Sequence, residues 1–352
     1  MEKKKGYFHR VTEMTPTRLW INNVTPTEAK LALEAGAEAC TQNPTYPHKM
    51  LTHPDDSERS LSVLDGILKE EKDDSRALSL FQYAMIKELA REFMPLYKAS
   101  FGRLGFVTIQ ADPFNEKEDF IVEWSRLHCS EYPNIMAKIP AIPAGFAALE
   151  KLLADGHPVL ATEVMALSQM VDCAKIYEKF SKNNEKVPAM YFAHIPGIFD
   201  EYIASAVKRD NIDIPGDYVY QGGAAIARKI CDVITEKSYK IGMCSGGARG
   251  LHHFTELVGA PWSITINWAG TADKLIEEDP PVVQRALAPT PAAVLDTLCE
   301  KIHDFRKAYE INGLEPKDYE SFGPVALFRS NFETGWQKAL DIIAKRRKEK
   351  GM

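Results

Sequence analysis

Asn134-Ile135-Met136-Ala137-Lys138-Ile139-Pro140-Ala141 is a short apolar run with a single lysine inside it, and Gly145–Leu153 follows with apolar residues at three- and four-residue spacing. The run reads as a buried strand and the segment after it as a helix. The same unit recurs on both sides. Upstream lie the apolar runs Leu19–Val24, Ala37–Thr41 and Gly105–Ala111. Downstream lie Pro158–Val164, Ala189–Ile195, Lys240–Ser245 and Ser263–Asn267. Helical patterns at Pro26–Ala35, Leu78–Tyr97, Ala166–Phe180 and Ile226–Glu236 separate them, the first opened by Thr25 as N-cap ahead of a first-turn proline. Strands that alternate with helices predict an α/β fold with a parallel sheet. Eight such units suggest a (β/α)8 TIM barrel, whose usual size is about 250 residues. The count alone leaves an open doubly wound sheet possible, but no strand leads into a G-x-G-x-x-G phosphate loop; Gly222-Gly223 and Gly246-Gly247 do not match it.

The chain is expected to be one domain, with the barrel over about 15–270 and a helical C-terminal extension over about 271–352. Residues 46–100 form an insertion whose Asp-, Glu- and Ser-rich part, about 53–76, reads as solvent-exposed. The extension carries two helical patterns, Ala292–Tyr309 and Glu333–Glu349, and reads as a cap on the barrel docked through Phe322, Phe328, Phe332 and Trp336. Its basic end, Lys345–Lys350, reads as a solvated helix terminus.

The 352 residues carry 43 Lys or Arg against 49 Asp or Glu, a net charge of −6, with 45% apolar residues. This is the balance of an ordinary globular protein. It argues against nucleic-acid and anionic-membrane partners, which select basic surfaces. No apolar run reaches the about 20 residues that span a bilayer, and the Lys-rich start has no apolar core of a secretory signal. The six cysteines, Cys40, Cys129, Cys173, Cys231, Cys244 and Cys299, contain no C-x-x-C pair. Zinc ribbons and redox dithiols are therefore not indicated, and a reducing cytoplasm is expected.

In such barrels chemistry sits at the C-terminal ends of the strands. Lys138 is the main candidate there: lysine is rarely buried without a role, and a desolvated amine loses pKa and attacks carbonyls to form a Schiff base. The bland alternative is a lysine snorkelling at a strand end. Other strand ends are polar too: Asn22, Thr41 and Asn43, Gln110, Thr162 with Glu163, His194, Ser245, and Thr265 with Asn267. One such residue alone usually serves loop backbone; so many at one mouth suggest a site.

These residues bring the chain to a family. Leu19–Pro26 resembles the first-strand motif of the transaldolases, class I aldolase barrels with a Schiff-base lysine on the fourth strand. Thr41-Gln42-Asn43-Pro44-Thr45 is similar to their second-strand motif, and Lys138-Ile139-Pro140-Ala141-Ile142-Pro143-Ala144-Gly145 to their Schiff-base segment. Thr162 matches their fifth-strand threonine, and the resemblance spans roughly 17–270 in order and spacing. It implies that Lys138 attacks C2 of a ketose or ketose phosphate, that the C3–C4 bond breaks, and that a dihydroxyacetone unit stays on the lysine. A transaldolase then hands the unit to an aldehyde, as in the pentose phosphate pathway; an aldolase releases it. The resemblance implies no metal or organic cofactor, a sugar or sugar phosphate as partner, and permits monomers as well as homo-oligomers.

The chain departs from the pattern at the proton-handling positions. The family's first-strand Asp is matched by Asn22 and its third-strand Glu by Gln110, the latter as in the fructose-6-phosphate aldolase branch. His194 stands for a sixth-strand Ser, and Ile198 falls where an Arg holds substrate phosphate. Ser245 and Arg249, beside glycine-rich backbone, are the remaining candidates for a phosphate. His194, or Glu163 if its side chain turns into the mouth, is expected to take over proton transfer, as an imidazole near pKa 6.5 suits that task. His252 and His253 read as helix-surface residues. The expected function is transfer or release of a three-carbon unit through Lys138. The alternatives are an aldolase-like lyase on a non-standard ketose and a non-catalytic sugar-binding relative.

Overall fold

A computed structural model describes residues 5–351. Its eight strands are β1 (Arg18–Asn22), β2 (Ala39–Thr41), β3 (Val107–Gln110), β4 (Ile135–Pro140), β5 (Val159–Val164), β6 (Met190–His194), β7 (Gly242–Ser245) and β8 (Ser263–Asn267). They pair in sequence order, all parallel, and β8 closes on β1 from Arg18↔Ser263 to Asn22↔Asn267. The fold is thus the closed (β/α)8 barrel. The strands read as near-continuous apolar runs because helices cover the outer face while side chains fill the inside; every residue of β3, β4 and β5 is buried. Toward the N-terminal end of the barrel the rings of Trp20 and Tyr191 meet at 4.9 Å. A helix that apolar spacing did not bring out, Tyr7–Met14, packs Tyr7 and Phe8 against Phe254.

The insertion between β2 and β3 is three helices, Tyr46–Thr52, Ser57–Glu70 and Asp74–Ala99. The second is amphipathic: Glu58 and Glu70 are exposed while Leu64 and Leu68 are buried. After β8 come Asp273–Glu278, Ala292–Lys301 and His303–Tyr309, and then one 28-residue helix, Gly323–Lys350. This C-terminal helix packs on Tyr46–Thr52, Asp74–Ala99, Pro196–Asp210 and β5, so it lies across the C-terminal mouth of the barrel. Phe322, Phe328, Phe332 and Trp336 are all buried.

The C-terminal helix begins at Gly323, well before the Glu333 expected from periodicity. Gly323-Pro324 and Gly335 read as breaks. Proline in a first turn gives up an N–H that the helix would not use. Gly335 is where the helix meets the loop after β2: a Cβ there would stand 2.6 Å from Thr45 Cγ2. The basic end is an anchor and not a solvated terminus. Arg346 forms two 2.7 Å bonds to the Asp65 carboxylate, and Arg347 reaches Asp74 and the carbonyls of Leu68 and Glu71. Among the described residues no helix is long and apolar enough to cross a membrane.

Candidate active site

Lys138 projects from the middle of β4 into a cavity of about 190 Å³ at the barrel mouth. The cavity is walled by Asn22 and Thr41 on one side, Leu160 and Ala193 on another, and Phe328 and Phe332 of the C-terminal helix above. Lys138 is 6% exposed, and its Nζ lies 5.2 Å from the centre of the Phe332 ring. Burial pulls its pKa down to about 8, although the nearby Glu163 pulls the other way. At neutral pH roughly a tenth of the molecules then hold a free amine, some hundreds of times the fraction of an ordinary lysine.

The carboxyl that acts on this amine comes from an irregularity in β5. Ala161 pairs with Phe192 and Val164 with His194, three steps on β5 against two on β6, which is a bulge. Glu163 occupies it with φ of 65°, a left-handed conformation that costs a non-glycine residue energy. The extra residue breaks the in-out alternation, so that both Thr162 and Glu163 are drawn to the inside. Glu163 Oε1 accepts a 3.3 Å bond from Gln110 Nε2 of β3. Gln169, on the helix Leu167–Asn183, pins the bulge: its Nε2 donates to the carbonyls of Ala141 and Glu163, and its Oε1 accepts from the N–H groups of Met165 and Ala166. Burial pushes the Glu163 carboxyl well up, while the Arg329 guanidinium, the Gln110 bond and Lys138 oppose it. Thr162 Oγ1, Gln110 Oε1 and Glu163 Oε2 are buried with no protein partner. Such polar atoms need a substrate group or solvent.

On the opposite wall the polar groups are neutral. Asn22 donates to Asn267 at 2.8 Å and accepts from Thr41 at 3.0 Å, and Thr41 meets Thr265 at 2.7 Å. Asn43 also faces the cavity, but its Oδ1 is engaged by Asn23 and Thr45 and holds the loop after β2. No carboxylate stands at the end of β1.

His194 does not reach the mouth. Ala193 lines the cavity, so the next side chain on the strand points outward. His194 is fully buried against the helices, with Nδ1 2.9 Å from Val164 O and Nε2 3.1 Å from Gly223 O. Burial lowers its pKa. The geometry thus turns the imidazole of His194 away from the mouth, where it was expected, and leaves the Glu163 carboxyl beside Gln110 on the inner side. Ser245 pairs with His194 in register and shares that outer face; its hydroxyl is buried away from the cavity. Arg249 does line the cavity, yet Glu201 takes its Nε at 2.6 Å and the Gly247 carbonyl its Nη1. Ile198, which stands in place of a phosphate-holding arginine, lines the cavity.

His252 and His253 are not surface residues of the kind expected. His253 is 4% exposed, and its Nδ1 accepts the Arg249 N–H at 3.2 Å. Its proton must then sit on Nε2, which donates to Asp200 at 3.1 Å, while Asp200 also accepts the Gly223 N–H. Asp200, His252 and His253 gather three ligand-type atoms. The tautomer nevertheless places a proton where a metal would need a lone pair, so the group braces the turn after β7.

Sequence reading missed the contribution of the C-terminal helix to the cavity wall. Phe328, Asn331 and Phe332 face the mouth, and Arg329 sits behind them against Glu116. The available signal was an arginine embedded in an aromatic helix face.

The family model for transaldolase/fructose-6-phosphate aldolase matches residues 19–310. A transaldolase of Saccharopolyspora erythraea is 25% identical over 209 residues, 56% of this chain and 54% of that protein. A transaldolase of Thiobacillus denitrificans is 26% identical over 161 residues, 43% of this chain and 44% of that protein. The chain thus aligns with about half the length of these relatives. With a match that runs from β1 past β8 and takes in every strand of the barrel, the chain belongs to the transaldolase/fructose-6-phosphate aldolase family.

Proposed function

We propose that the protein is a transaldolase-type enzyme that takes a three-carbon dihydroxyacetone unit from a ketose through a Schiff base on Lys138. The observation that carries this reading is the buried, desolvated amine at the cavity floor. The free amine attacks the C2 carbonyl to give a carbinolamine. The protonated Glu163 carboxyl donates to the departing C2 oxygen, water leaves, and the iminium forms. Loss of the C4 hydroxyl proton then sends the C3–C4 bonding pair into the iminium, releasing an aldehyde and leaving an enamine on Lys138. Asn22 can orient that hydroxyl but cannot accept its proton, so the carboxyl freed at Glu163 is the base within the site. Passing the unit to an aldehyde completes a transferase cycle; hydrolysis completes an aldolase cycle.

Ile195 and Ile198 line the cavity beside Arg249, whose guanidinium is already paired with Glu201. This favours a ketose without a terminal phosphate over one that needs a bidentate cation. Incubation with fructose 6-phosphate or dihydroxyacetone, followed by borohydride and peptide mass analysis, tests the reading. A three- or six-carbon adduct on Lys138, lost in Lys138→Ala, is expected. No adduct from either compound favours the non-catalytic sugar-binding alternative. Better use of the phosphorylated than the unphosphorylated ketose would refute the inference about the distal end.

A further inference from the structure

Of the polar side chains that line the cavity, two make no hydrogen bond to protein among the described residues: Lys138 on the floor and Asn331 in the roof. The rest are committed. Asn22, Thr41, Thr265 and Asn267 bond to one another across the ends of β1, β2 and β8. Thr45 bonds to Asn43 in the loop after β2, and Arg249 is held by Glu201. The amide oxygens of Asn22, Asn43 and Asn267 are all taken, so Asn331 brings the one carboxamide whose donors and acceptor are both open to the cavity.

Spacings of three and four residues put Phe328, Asn331 and Phe332 on one face of the C-terminal helix. The two rings pack at 4.3 Å, and Phe332 stands over the Lys138 amine at 5.2 Å. Arg329 leaves the helix by the other flank, toward Glu116. The helix is fixed further along by buried Trp336 and by the Arg346–Asp65 bridge, so the amide is presented from a rigid element. Asparagine is a poor helix-interior residue; leucine would serve both the helix and a roof that only excluded water better. A partly buried free amide fits a partner that gives and takes hydrogen bonds. A sugar hydroxyl does both, whereas an ionised phosphate only accepts and would be repelled by the amide oxygen.

We infer that Asn331 is a specificity-determining residue: from the C-terminal helix its carboxamide binds a hydroxyl of the ketose held at Lys138. The substrate class is then a polyhydroxy ketone that presents a hydroxyl, and not a phosphate, to the roof. The inference rests on the Lys138 reading above. The floor supplies a nucleophile that any ketone could meet, and the roof supplies recognition of the sugar. A site built to bond a hydroxyl rejects the analogue that lacks it, because its own polar group is left unpaired.

The test compares borohydride capture of dihydroxyacetone, fructose and acetone on Lys138 in the full-length wild type and in Asn331→Leu. Acetone has the carbonyl but no hydroxyl, so its capture should be equal in the two proteins, which also shows the Lys138 site intact. For at least one of the hydroxylated ketones the half-saturating concentration should rise about tenfold in Asn331→Leu, with the maximal rate kept. A rise with dihydroxyacetone places the bound hydroxyl in the retained three-carbon unit; a rise with fructose alone places it in the part that leaves. Unchanged half-saturation for both, or an equal loss with acetone, would overturn the inference, the latter because it marks a packing role. Calorimetric titration with dihydroxyacetone and with fructose, without borohydride, should show the same weakening in Asn331→Leu whether or not an adduct forms; equal binding to both proteins would overturn the inference independently. Absence of any wild-type adduct would overturn the Lys138 reading itself and is seen separately from the titration.

Discussion

A lysine kept at a depressed pKa should cost the fold stability, and the cost is measurable by removing it. The Lys138 amine falls from 10.5 to about 8 because burial disfavours its charged form. Each pKa unit is worth about 1.4 kcal/mol, so at neutral pH the drop amounts to about 3 kcal/mol against folding. The sign is opposite to that of a lysine gaining a partner: the folded pKa lies below the unfolded one. The penalty is therefore present in full below about pH 8, shrinks as pH rises, and is gone above 10.5. Lys138→Met keeps an unbranched apolar side chain beneath Phe332 and removes the charge. It should raise stability at pH 7 by about 3 kcal/mol. With an unfolding entropy of about 2 cal/mol/K per residue, this is near 4 °C in Tm for 352 residues. Urea unfolding of both proteins at pH 7, 8.5 and 10 checks it: the variant's advantage should fall steadily along the series. A variant no more stable than wild type at pH 7, or an advantage independent of pH, would refute the claim that the amine is desolvated, and with it the argument for a nucleophile.

Other perturbations separate the roles of the neighbours. Glu163→Gln should slow borohydride capture of dihydroxyacetone by about 10²- to 10⁴-fold, the usual contribution of a general acid, while leaving the fold intact by circular dichroism. His194→Ala should cost about 2–4 kcal/mol in urea unfolding, because the neutral ring's one N–H bond to a carbonyl is lost and a buried void is left, yet leave the capture rate of the folded enzyme unchanged. Gln169→Leu removes four hydrogen bonds from the β5 bulge; it should destabilise by about 2–4 kcal/mol and also slow capture, since Glu163 is then no longer aimed. Equal effects of Gln169→Leu and His194→Ala on capture would remove the distinction drawn between them.

The strands are legible in the sequence because a parallel barrel buries both faces of each strand, and runs such as Ile135–Pro140 and Val159–Val164 therefore stand out as unbroken apolar segments. Lys138 is legible because it interrupts one of them. Side-chain direction is less so. His194 and Ala193 differ by one residue, and period-two alternation sends one outward and the other into the cavity; apolar runs mark where a strand lies but not its parity. The bulge at Glu163 is invisible for a related reason: no glycine or asparagine announces its left-handed backbone, which is imposed by Gln169 from a helix that follows. The start of the C-terminal helix is hidden by Gly323-Pro324, a pair that suits a first turn as well as a break, and by Gly335, which packing against Thr45 holds within the helix.

These particulars bear on how a proton-handling group can move within one barrel. Gln110 stands on β3 where the family pattern resembled by this chain has a glutamate, and Glu163 stands on β5. The two side chains meet in a hydrogen bond across the intervening strand β4, which carries Lys138. A carboxyl introduced on β5 can therefore serve much the same space as one lost from β3, provided that the strand is bulged to turn it inward. Its surroundings are not equivalent, however. At its new position Glu163 is fully buried and within the field of Arg329, a residue of the C-terminal helix that lies beyond the matched residues 19–310. On the function proposed above, a carboxyl relocated to Glu163 has surroundings set partly by the extension that covers the barrel, and on that reading the departures at Asn22 and Gln110 mark a rearranged site and not a vacated one.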